Sequence, residues 1–566
     1  MEPIIHFKDF SFKYRAQTEP TLKDINLDIF KGEKVLIVGP SGCGKSTLSN
    51  CINGLVPFSY SGEITGEYSV GGKDPKKLGV FGLSKIVGTV LQDTDGQFVG
   101  LSVAEDIAFV LENDCVAIDD MRKRVEDVAS VVEVQSLLKH APSEMSGGQK
   151  QRVSMAGVLI DDVDILLFDE PLANLDPATG KNAIALIDKI SKEKDKTVII
   201  IEHRLEDALF CGVDRIVVIG DGRIVVNLHP DELLSSDILI KQGVREPLYV
   251  TALKYAGCEI EPEDHPQNIS YMDMSRFSDK VKSWYAQILP KEQKISEISA
   301  LTLKNVSFSY IPGKPILKDI SLDIKKGEMV SIVGKNGAGK STLSNLICGF
   351  IKPDSGEILL NGEDISPLSI KERGEKIGLC MQNPNQMISK AMIFEEVALG
   401  LSVRGVDENI IREKVEDTLK ICGLYPFRNW PVSALSFGQK KRVTIASILV
   451  MDPQILILDE PTAGQDYRHY TEIMEFLKKL HEELGITIIM ITHDMHLMLE
   501  YTDRAIVISD GELIADSTGA KVLTDEDIAR RAYLKRTSLY DLAIKCGIDD
   551  PANFVECFIN EERRLR

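Results

Sequence analysis

The sequence lacks a long uninterrupted apolar segment. No run in its 566 residues approaches the ~20 consecutive apolar residues that a helix needs to cross a bilayer. Its first residues, Met1 to His6, also lack the basic-then-apolar pattern of a secretory signal. We therefore expect no membrane span, and any membrane process that this chain serves must take its span from other chains.

An excess of positive charge is also missing. The chain has 66 Lys and Arg against 86 Asp and Glu, a formal net charge of −20 at pH 7. This balance disfavours nucleic-acid binding through a broad basic surface, although it leaves room for a local basic patch.

The ten cysteines do not show metal-binding or disulfide spacing, because they are scattered and no Cys-x-x-Cys pair occurs. We expect buried thiols in a reducing compartment, not disulfides, zinc ligands or iron–sulfur ligands. The chain is also too long for one hydrophobic core, so two or more domains are expected.

A glycine-rich segment stands between an apolar run, Lys34 to Val38, and a run typical of a helix, Leu48 to Ile52. Converging backbone N–H groups and the positive end of the helix dipole make such a turn a phosphate cradle. Lys45 can reach the terminal phosphates, and the Ser46 hydroxyl can hold Mg²⁺. The segment, which predicts nucleoside triphosphate binding, reads Gly39-Pro40-Ser41-Gly42-Cys43-Gly44-Lys45-Ser46-Thr47.

The same motif returns after a second apolar run, Met329 to Val333. Other motifs recur at a constant distance, which indicates that a whole domain is duplicated. Gln92 and Gln382, Glu170 and Glu460, and His203 and His493 are each 290 positions apart. The second glycine-rich segment reads Gly334-Lys335-Asn336-Gly337-Ala338-Gly339-Lys340-Ser341-Thr342.

Each half ends one apolar strand with two acids, Asp169-Glu170 and Asp459-Glu460. Two carboxylates at a buried strand end are costly unless a cation or a polar partner compensates them. Asp169 and Asp459 are predicted to lie behind Mg²⁺, and Glu170 and Glu460 to orient or deprotonate the attacking water. The alternative, an acid pair that only caps the next turn, is disfavoured by the two phosphate loops.

Two further turns, Ser146-Gly147-Gly148-Gln149 and Ser436-Phe437-Gly438-Gln439, each precede a basic helix start. A serine beside a glycine at a helix N-terminus can form a second anion cradle. Taken alone, the pattern is more typical of a serine N-cap.

Strands alternate with helices in both halves, which predicts an α/β fold with a mostly parallel sheet. The predicted elements of the first half are strands at Ile4–Tyr14, Thr21–Ile29, Asp164–Phe168 and Thr197–Ile201, helices at about Gln149–Leu159 and at Ala178–Lys194, and a hairpin over Arg215–Val225. Residues 102–140 are helical in character, and within them Arg122–Leu138 has apolar residues at three- and four-residue steps. Two helical stretches, Leu248 to Lys254 and Leu539 to Lys545, match at an offset of 291. Each is predicted to be a small appendage after its half, since the apolar content disfavours a disordered linker.

As a set, these motifs resemble the ATP-binding cassette (ABC) superfamily in both halves. The resemblance implies two tandem P-loop ABC ATPase domains, each with a mostly parallel core sheet, an antiparallel β subdomain and a helical subdomain. The implied segments are a first ABC ATPase domain (1–230), a linker with a small helical appendage (231–298), a second ABC ATPase domain (299–520) and a C-terminal helical appendage (521–566).

The resemblance also implies ATP and Mg²⁺ as cofactors, and two cassettes that pack head to tail. Each ATP would then lie between one phosphate loop and the Ser-x-Gly-Gln turn of the other half. The implied catalytic residues are Glu170, Glu460, His203 and His493; the implied metal residues are Ser46, Gln92 and Asp169 in one site and Ser341, Gln382 and Asp459 in the other. The implied nucleotide-binding residues are the two phosphate loops, Ser146, Gly148, Ser436 and Gly438, and the adenine-stacking Tyr14 and Tyr310.

The second half departs from the family pattern at Phe437, which replaces a glycine, and at Gln465-Asp466-Tyr467, which replaces Leu-Asp-Pro. Both glutamates and both histidines are kept, so we expect two hydrolytically competent but unequal sites. Cys43 lies where the second loop has Ala338. It is either a tolerated small residue or a reactive thiol activated by the helix N-terminus.

Within the superfamily the chain resembles the energy-coupling factor (ECF) ATPases, including cobalt-type import ATPases. The residues that carry this likeness are Leu435 to Arg442, Gln382 to Met387, and Pro57 to Gly66 in the longer first half. The implied partners are a transmembrane coupling subunit and a substrate-binding membrane subunit, with the chain at the cytoplasmic face of the cell membrane. The implied cargo is a vitamin, a vitamin precursor or a transition-metal cation.

Two alternatives remain at this point. A soluble tandem ABC ATPase acting on ribosomes or nucleic acid is disfavoured by the acidic-leaning linker and the scattered cysteines. A nucleotide-binding scaffold without hydrolysis is disfavoured by the intact Glu170 and Glu460.

Overall fold

The computed structural model describes residues 2–92, 95–173, 175–288 and 296–565. The chain divides into two compact units. The first comprises Met1–Trp284, Gly464–Arg468 and Lys545–Gly547, and the second comprises Tyr285–Ala463, His469–Ile544 and Ile548–Arg566. Residues 289–295, which belong to the predicted linker, lie outside the described residues.

The strands of the first half are β1 (Ile5–Tyr14), β2 (Leu22–Ile29), β3 (Lys34–Val38), β4 (Gly62–Val70), β5 (Val87–Val90), β6 (Ile165–Asp169), β7 (Thr197–Ile201), β8 (Arg215–Gly220) and β9 (Arg223–Leu228). They form an antiparallel sheet of order β2-β1-β4 and a larger sheet of order β5-β6-β7-β3-β8-β9. The larger sheet is parallel from β5 through β8, and β9 pairs antiparallel with β8.

Helices of the first half pack against its larger sheet, and further helices belong to the segment that follows. They are α1 (Lys45–Ile52), α2 (Leu55–Phe58), α3 (Pro75–Ser84), α4 (Val103–Asn113), α5 (Ile118–Val131), α6 (Gly147–Leu159), α7 (Pro177–Lys194), α8 (Leu205–Ala208), α9 (Pro230–Leu234), α10 (Ile238–Lys241), α11 (Leu248–Tyr255) and α12 (Ser278–Tyr285).

Strand β3 is apolar at successive positions because it is buried on both faces. Successive side chains of a strand point to opposite faces of the sheet. Leu36 and Val38 pack in the core that contains α4 and α6, whereas Val35 and Ile37 pack in the core that contains β1 and α1. Because both faces of the sheet are covered, the strand needs apolar residues on both sides.

The strands of the second half are β10 (Ser299–Phe308), β11 (Leu317–Lys325), β12 (Met329–Val333), β13 (Ser355–Leu360), β14 (Glu363–Asp364), β15 (Ile377–Cys380), β16 (Ile455–Asp459), β17 (Thr487–Ile491), β18 (Arg504–Ser509) and β19 (Glu512–Ser517). They form an antiparallel sheet of order β11-β10-β13-β14 and a mostly parallel sheet of order β15-β16-β17-β12-β18-β19.

The helices of the second half follow the same plan. They are α13 (Lys340–Cys348), α14 (Ile370–Arg373), α15 (Ile393–Ser402), α16 (Glu408–Ile421), α17 (Phe437–Leu449), α18 (Tyr467–Leu484), α19 (Met495–Tyr501), α20 (Gly519–Thr524), α21 (Glu526–Arg531), α22 (Ser538–Lys545) and α23 (Pro551–Leu565). The predicted α/β fold is confirmed, since each half has a mostly parallel core sheet and a separate antiparallel sheet.

The register of the parallel strands sets the place of the motifs. In the first unit Ile37 of β3 lies opposite Ile201 of β7, and Ile201 lies opposite Asp169 of β6. The three strands therefore end at one edge of the sheet, where the phosphate loop, the acid pair and the His203 turn follow them. In the second unit Ile332, Ile491 and Asp459 align in the same way.

The stretch 102–140, predicted to be helical in character, contains the two helices α4 and α5. The amphipathic pattern noted within it, Arg122–Leu138, overlaps α5, which runs from Ile118 to Val131 and so ends before the pattern does. Asp119 and Asp120 occupy its first turn, where the helix dipole favours acids. The helix ends because Glu133 adopts a left-handed conformation with φ of 60°, which no α-helix continues.

Among the described residues, no helix combines the length and the apolar character that crossing a bilayer requires.

Candidate functional site

Each phosphate loop contains one glycine that no other residue could replace. Gly39 has a φ of 156°, and a Cβ there would lie 2.1 Å from the carbonyl oxygen of Ile219. At Gly334 φ is 147°, and the Cβ would lie 1.9 Å from the carbonyl oxygen of Ile508. The loops thus pass too close to the adjacent strand for any side chain, and this shapes the turn that a phosphate group would enter.

The lysine of each loop is buried and points back across its own loop. Lys45 Nζ donates to the carbonyl oxygens of Gly39 at 2.7 Å and Pro40 at 3.0 Å. Lys340 Nζ donates to those of Gly334 at 2.8 Å and Lys335 at 3.0 Å. Both ammonium groups are therefore held inside the cradle, where they can neutralise phosphate charge.

The two predicted catalytic glutamates share an unusual backbone conformation. Glu170 has a φ of 50° and Glu460 a φ of 44°, in the left-handed region that non-glycine residues seldom adopt. Each is held there by a hydrogen bond from its backbone N–H to the facing strand, to Ile201 O and Ile491 O respectively, both at 2.9 Å. Such strain tends to occur at functional sites.

In the first site, His203 and Gln92 both contact the carboxylate of Glu170. His203 Nε2 lies 2.7 Å from Oε1, and Gln92 Nε2 donates to Oε2 at 2.5 Å. In the second site His493 Nε2 lies 3.4 Å from Glu460 Oε1. The histidine and the glutamate are thus closer in the first site than in the second.

The acids at the strand ends favour a cation. Burial, reinforced by the charge of Glu170, raises the pKa of Asp169 to about 6. Burial also raises the pKa of Asp459 above its ordinary value, while the charge of Lys340 opposes this shift, and it raises the pKa of Glu460 to about 8. A cation beside these carboxylates would relieve the cost of their burial.

The donor set suits Mg²⁺ in particular. In the first site it consists of the Ser46 hydroxyl, the Gln92 amide oxygen and the Asp169 carboxylate, and oxygen ligands are those that Mg²⁺ prefers. Ser341, Gln382 and Asp459 offer the same atoms in the second site. The residues therefore fit Mg²⁺ and a triphosphate.

Of the predicted adenine-stacking tyrosines, Tyr14 is the last residue of β1, and Tyr310 lies two residues beyond the end of β10. The Tyr14 hydroxyl shares a hydrogen bond of 3.0 Å with the hydroxyl of Thr47 in the phosphate loop. The Tyr14 ring also meets Tyr60 edge-on, with 6.2 Å between centroids. Tyr310 is 58% exposed and packs edge-on against Phe308 at 4.8 Å. Both rings thus leave surface for a base, and their role in stacking stays a prediction.

The two serine turns begin helices. Ser146 caps α6, where its hydroxyl accepts from the Gln149 N–H at 3.4 Å, and Ser436 caps α17 in the same way at 3.3 Å. Each unit therefore shows the N-cap that the pattern alone favours. The pairing of Ser146 and Gly148, or of Ser436 and Gly438, with the phosphate loop of the other half stays a prediction.

Cys43 is 5% exposed. Burial raises the pKa of its thiol, although the charge of Lys45 opposes the shift. A buried thiol with a raised pKa holds little of the reactive thiolate, so the structure favours the tolerated small residue over the reactive thiol.

Sequence reasoning did not single out Glu202, and it considered Lys441 only as part of the basic helix start after the second serine turn. Glu202 precedes His203 and is 2% exposed, and Lys441 follows the second serine turn and is 1% exposed. The sequence did contain a signal, because Glu202 corresponds to Thr492 in the repeat and Lys441 corresponds to Gln151. A charged residue in only one copy of a repeated turn points to a difference between the two sites.

Comparison with known proteins agrees with this geometry. The profile described as ABC transporter matches residues 22–173 and 317–463. A profile described as ATP-binding cassette cobalt transporter matches residues 236–308, and that of an AAA domain matches residues 428–500.

Relatives named as ABC transporter ATP-binding proteins match along the whole chain. One from Clostridium perfringens is 60% identical over 563 residues, 100% of this chain and 99% of its own length. One from Enterococcus faecalis is 58% identical, over 100% of this chain and 99% of its own length. One from Photobacterium profundum is 54% identical over 99% of each.

A solved structure also matches part of the chain. It is that of CbiO1 from Clostridium perfringens, described as part of the ABC transporter complex CbiONQ, which is 39% identical over 41% of this chain and 94% of its own, with a TM-score of 0.39. With two matched cassettes and full-length relatives of this kind, the chain belongs to the ABC transporter ATP-binding family and is an ATPase that carries two cassettes in one polypeptide.

Proposed function

We propose that this ATPase energises the import of a small substrate by an ECF-type transporter. The observation that carries the proposal is the segment after the first cassette, residues 236–308, which matches the profile described as ATP-binding cassette cobalt transporter. The substrate class is a vitamin, a vitamin precursor or a transition-metal cation. The relatives described above carry transporter names, which does not favour the alternative role on ribosomes or nucleic acid.

Within each site, the phosphate loop binds the triphosphate and its lysine neutralises phosphate charge. Glu170 and Glu460 orient the attacking water and accept its proton, and His203 and His493 hold the glutamate and the γ-phosphate in place. When bound, Mg²⁺ would neutralise charge on the phosphates, held by Ser46, Gln92 and Asp169 or by their counterparts in the second half.

The two cassettes pair head to tail in this proposal, so that each ATP closes one interface. One contact inside the first compact unit supports it. The backbone N–H of Ser41, in the first phosphate loop, donates to the carboxylate of Asp466, and Asp466 belongs to that unit although it follows the second acid pair in sequence. ATP would favour the closed pair only through its higher affinity for that state.

The partners of the chain are a transmembrane coupling subunit and a substrate-binding membrane subunit, and the chain lies peripherally at the cytoplasmic face. ATP-driven closure then acts on the coupling subunit near Gln92 and Gln382. Specificity resides in the substrate-binding subunit.

The test is purification of the tagged chain from detergent-solubilised native membranes, followed by uptake assays in cells. We expect two integral membrane proteins to co-purify, and uptake of the cargo of the substrate-binding subunit to stop in the variant K45A/K340A. Recovery of the chain with ribosomes or nucleic acid, and without membrane proteins, would overturn the proposal.

A further inference from the structure

The turn that carries the first histidine differs from its counterpart in the second half. It reads Glu202-His203-Arg204, whereas the second reads Thr492-His493-Asp494. Glu202 is 2% exposed, and burying an ionised carboxylate costs several kcal/mol unless hydrogen bonds compensate it. The hydrogen bonds of the Glu202 carboxylate therefore indicate which groups compensate its burial and which segments it connects.

The Glu202 carboxylate joins two segments of the first site. Oε1 accepts from the backbone N–H of Leu172 at 2.8 Å. Oε2 accepts from the backbone N–H groups of His203 at 2.8 Å and Arg204 at 3.1 Å. Since Leu172 follows Glu170 by two residues, one carboxylate connects the segment after the catalytic glutamate to the histidine turn.

Arg204 makes the same connection from the other side. Its Nη1 donates to the carbonyl oxygens of Leu172 at 3.3 Å and Leu175 at 3.5 Å, and its Nε donates to Asp207 at 2.8 Å. Leu172 is thus held through both its N–H and its C=O. We call Glu202 and Arg204, with these bonds, the 202/204 tie.

The second unit uses the same positions differently. The Thr492 hydroxyl donates to Glu460 Oε2 at 3.4 Å and accepts from the Asp494 N–H at 2.9 Å. The Asp494 carboxylate caps α19, accepting from the N–H groups of His496 at 2.8 Å and Leu497 at 3.3 Å. These bonds join the histidine turn to the Glu460 side chain and to the following helix.

The distance between the histidine and the catalytic glutamate also differs between the two sites. The histidine lies 2.7 Å from the glutamate where the tie is present and 3.4 Å away where it is not. We propose that Glu202 and Arg204 are positioning residues that fix His203 against Glu170 and make the first ATP site the better organised of the two. This inference rests on the proposed roles of Glu170 and His203.

The test isolates the first site in the E460Q background, in which the remaining turnover depends on Glu170. E202Q is nearly isosteric but offers one acceptor oxygen in place of two, and E202T introduces the residue of the second half. Because the amide weakens the hydrogen bonds that connect Leu172 to the histidine turn, we expect kcat to fall about tenfold, which corresponds to about 1.4 kcal/mol. The KM for ATP should stay unchanged, because the phosphate loop is untouched.

A double variant separates positioning from folding. E202T/R204D copies the second half, so the melting temperature, lowered by either single change, should return toward that of the E460Q parent. The kcat should nevertheless stay low, because the connection to Leu172 is still missing. Recovery of kcat together with the melting temperature would reduce Glu202 to a stabilising residue and overturn the proposal, as would unchanged kcat in folded E202Q.

The catalytic assignment is tested separately by E170Q/E460Q, with Glu202 intact. Loss of hydrolysis in this variant supports the assigned glutamates whatever the tie does. Hydrolysis that persists would instead refute the roles on which the inference rests.

Discussion

The ammonium group of Lys441 donates to the backbone carbonyl oxygens of Met381 and Gln382, each at 2.8 Å. Lys441 lies on α17, the helix that Ser436 caps, so the contact ties the second serine turn to the segment of the predicted metal residue Gln382. Burial lowers the pKa of Lys441, and its two carbonyl partners compensate the cost of burying the charge. In the first half Gln151 occupies this position and donates instead to the carbonyl oxygen of Pro171.

Replacement of Lys441 should therefore weaken the second site through its metal. In K441M the two carbonyl groups lose the ammonium donor, and the segment of Gln382 loses its connection to α17 through this side chain. Measured in the E170Q background, the Mg²⁺ concentration for half-maximal hydrolysis should rise about tenfold, since about 1.4 kcal/mol of positioning energy is lost. The matched control is K440M, whose lysine makes an exposed contact to Asn385; an equal response in both variants would contradict the role of Lys441.

The two glutamates should both contribute to hydrolysis. Both are held in the left-handed conformation beside their histidine, so we expect E170Q and E460Q each to slow phosphate release. Because the His203–Glu170 contact is the shorter one, E170Q should have the larger effect. A single change that leaves the rate of phosphate release untouched would show that its site does not turn over.

The second site should depend on pH near neutrality. Burial raises the pKa of Glu460 to about 8, above its ordinary value, so the carboxyl is protonated at pH 7 and gains its charge as the pH rises. A general base acts in its charged form, and kcat/KM reports the free enzyme. In the E170Q background kcat/KM should therefore increase between about pH 7 and 9, and a flat profile over this range would contradict the assignment.

The sequence predicted the parts of this protein that local chemistry determines. The run predicted to be a strand, Lys34 to Val38, coincides with β3, and its successive apolar residues reflect the burial of every residue in the strand. The glycines, acids and histidines follow strand ends, and their spacing alone indicates that they meet at one sheet edge. Strand bounds were predicted to within about a residue.

Features that depend on contacts distant in sequence were not predictable in this way. The left-handed Glu133 that ends α5 leaves no periodic signal. Glu202 and Lys441 look like surface residues in sequence, since charged side chains are seldom buried without partners. Their partners are backbone groups of Leu172 and Gln382, which only the folded chain brings near.

The appendage after the first cassette contains a buried ion pair whose loss should be measurable. Lys254 Nζ donates to Glu246 Oε1 at 2.6 Å, and the Glu246 side chain is 1% exposed. Burial raises the pKa of Glu246, and the hydrogen bond from Lys254 opposes this shift. In K254M the carboxylate would stay buried without this partner.

We expect K254M to lower the free energy of unfolding of the appendage by about 3 kcal/mol, because an uncompensated buried charge is left behind. The double variant K254M/E246L should recover most of the loss. K280M, which removes a lysine with an exposed contact, should change stability by less than about 0.5 kcal/mol. Urea unfolding followed by tryptophan fluorescence measures all three; a K254M protein as stable as K280M would show that the pair contributes little.

Thiol chemistry should distinguish Cys115 from Cys43. Cys115 is exposed, whereas Cys43 and the other cysteines are buried, and burial raises the pKa of the Cys43 thiol. Because the thiolate is the reacting species, an anionic aromatic disulfide reagent should label Cys115 rapidly and leave ATP hydrolysis intact. In C115S the rapid phase of labelling should disappear while hydrolysis continues. Rapid inactivation of C115S that ATP prevents would instead identify Cys43 as a reactive thiol, since its loop encloses the predicted phosphate position.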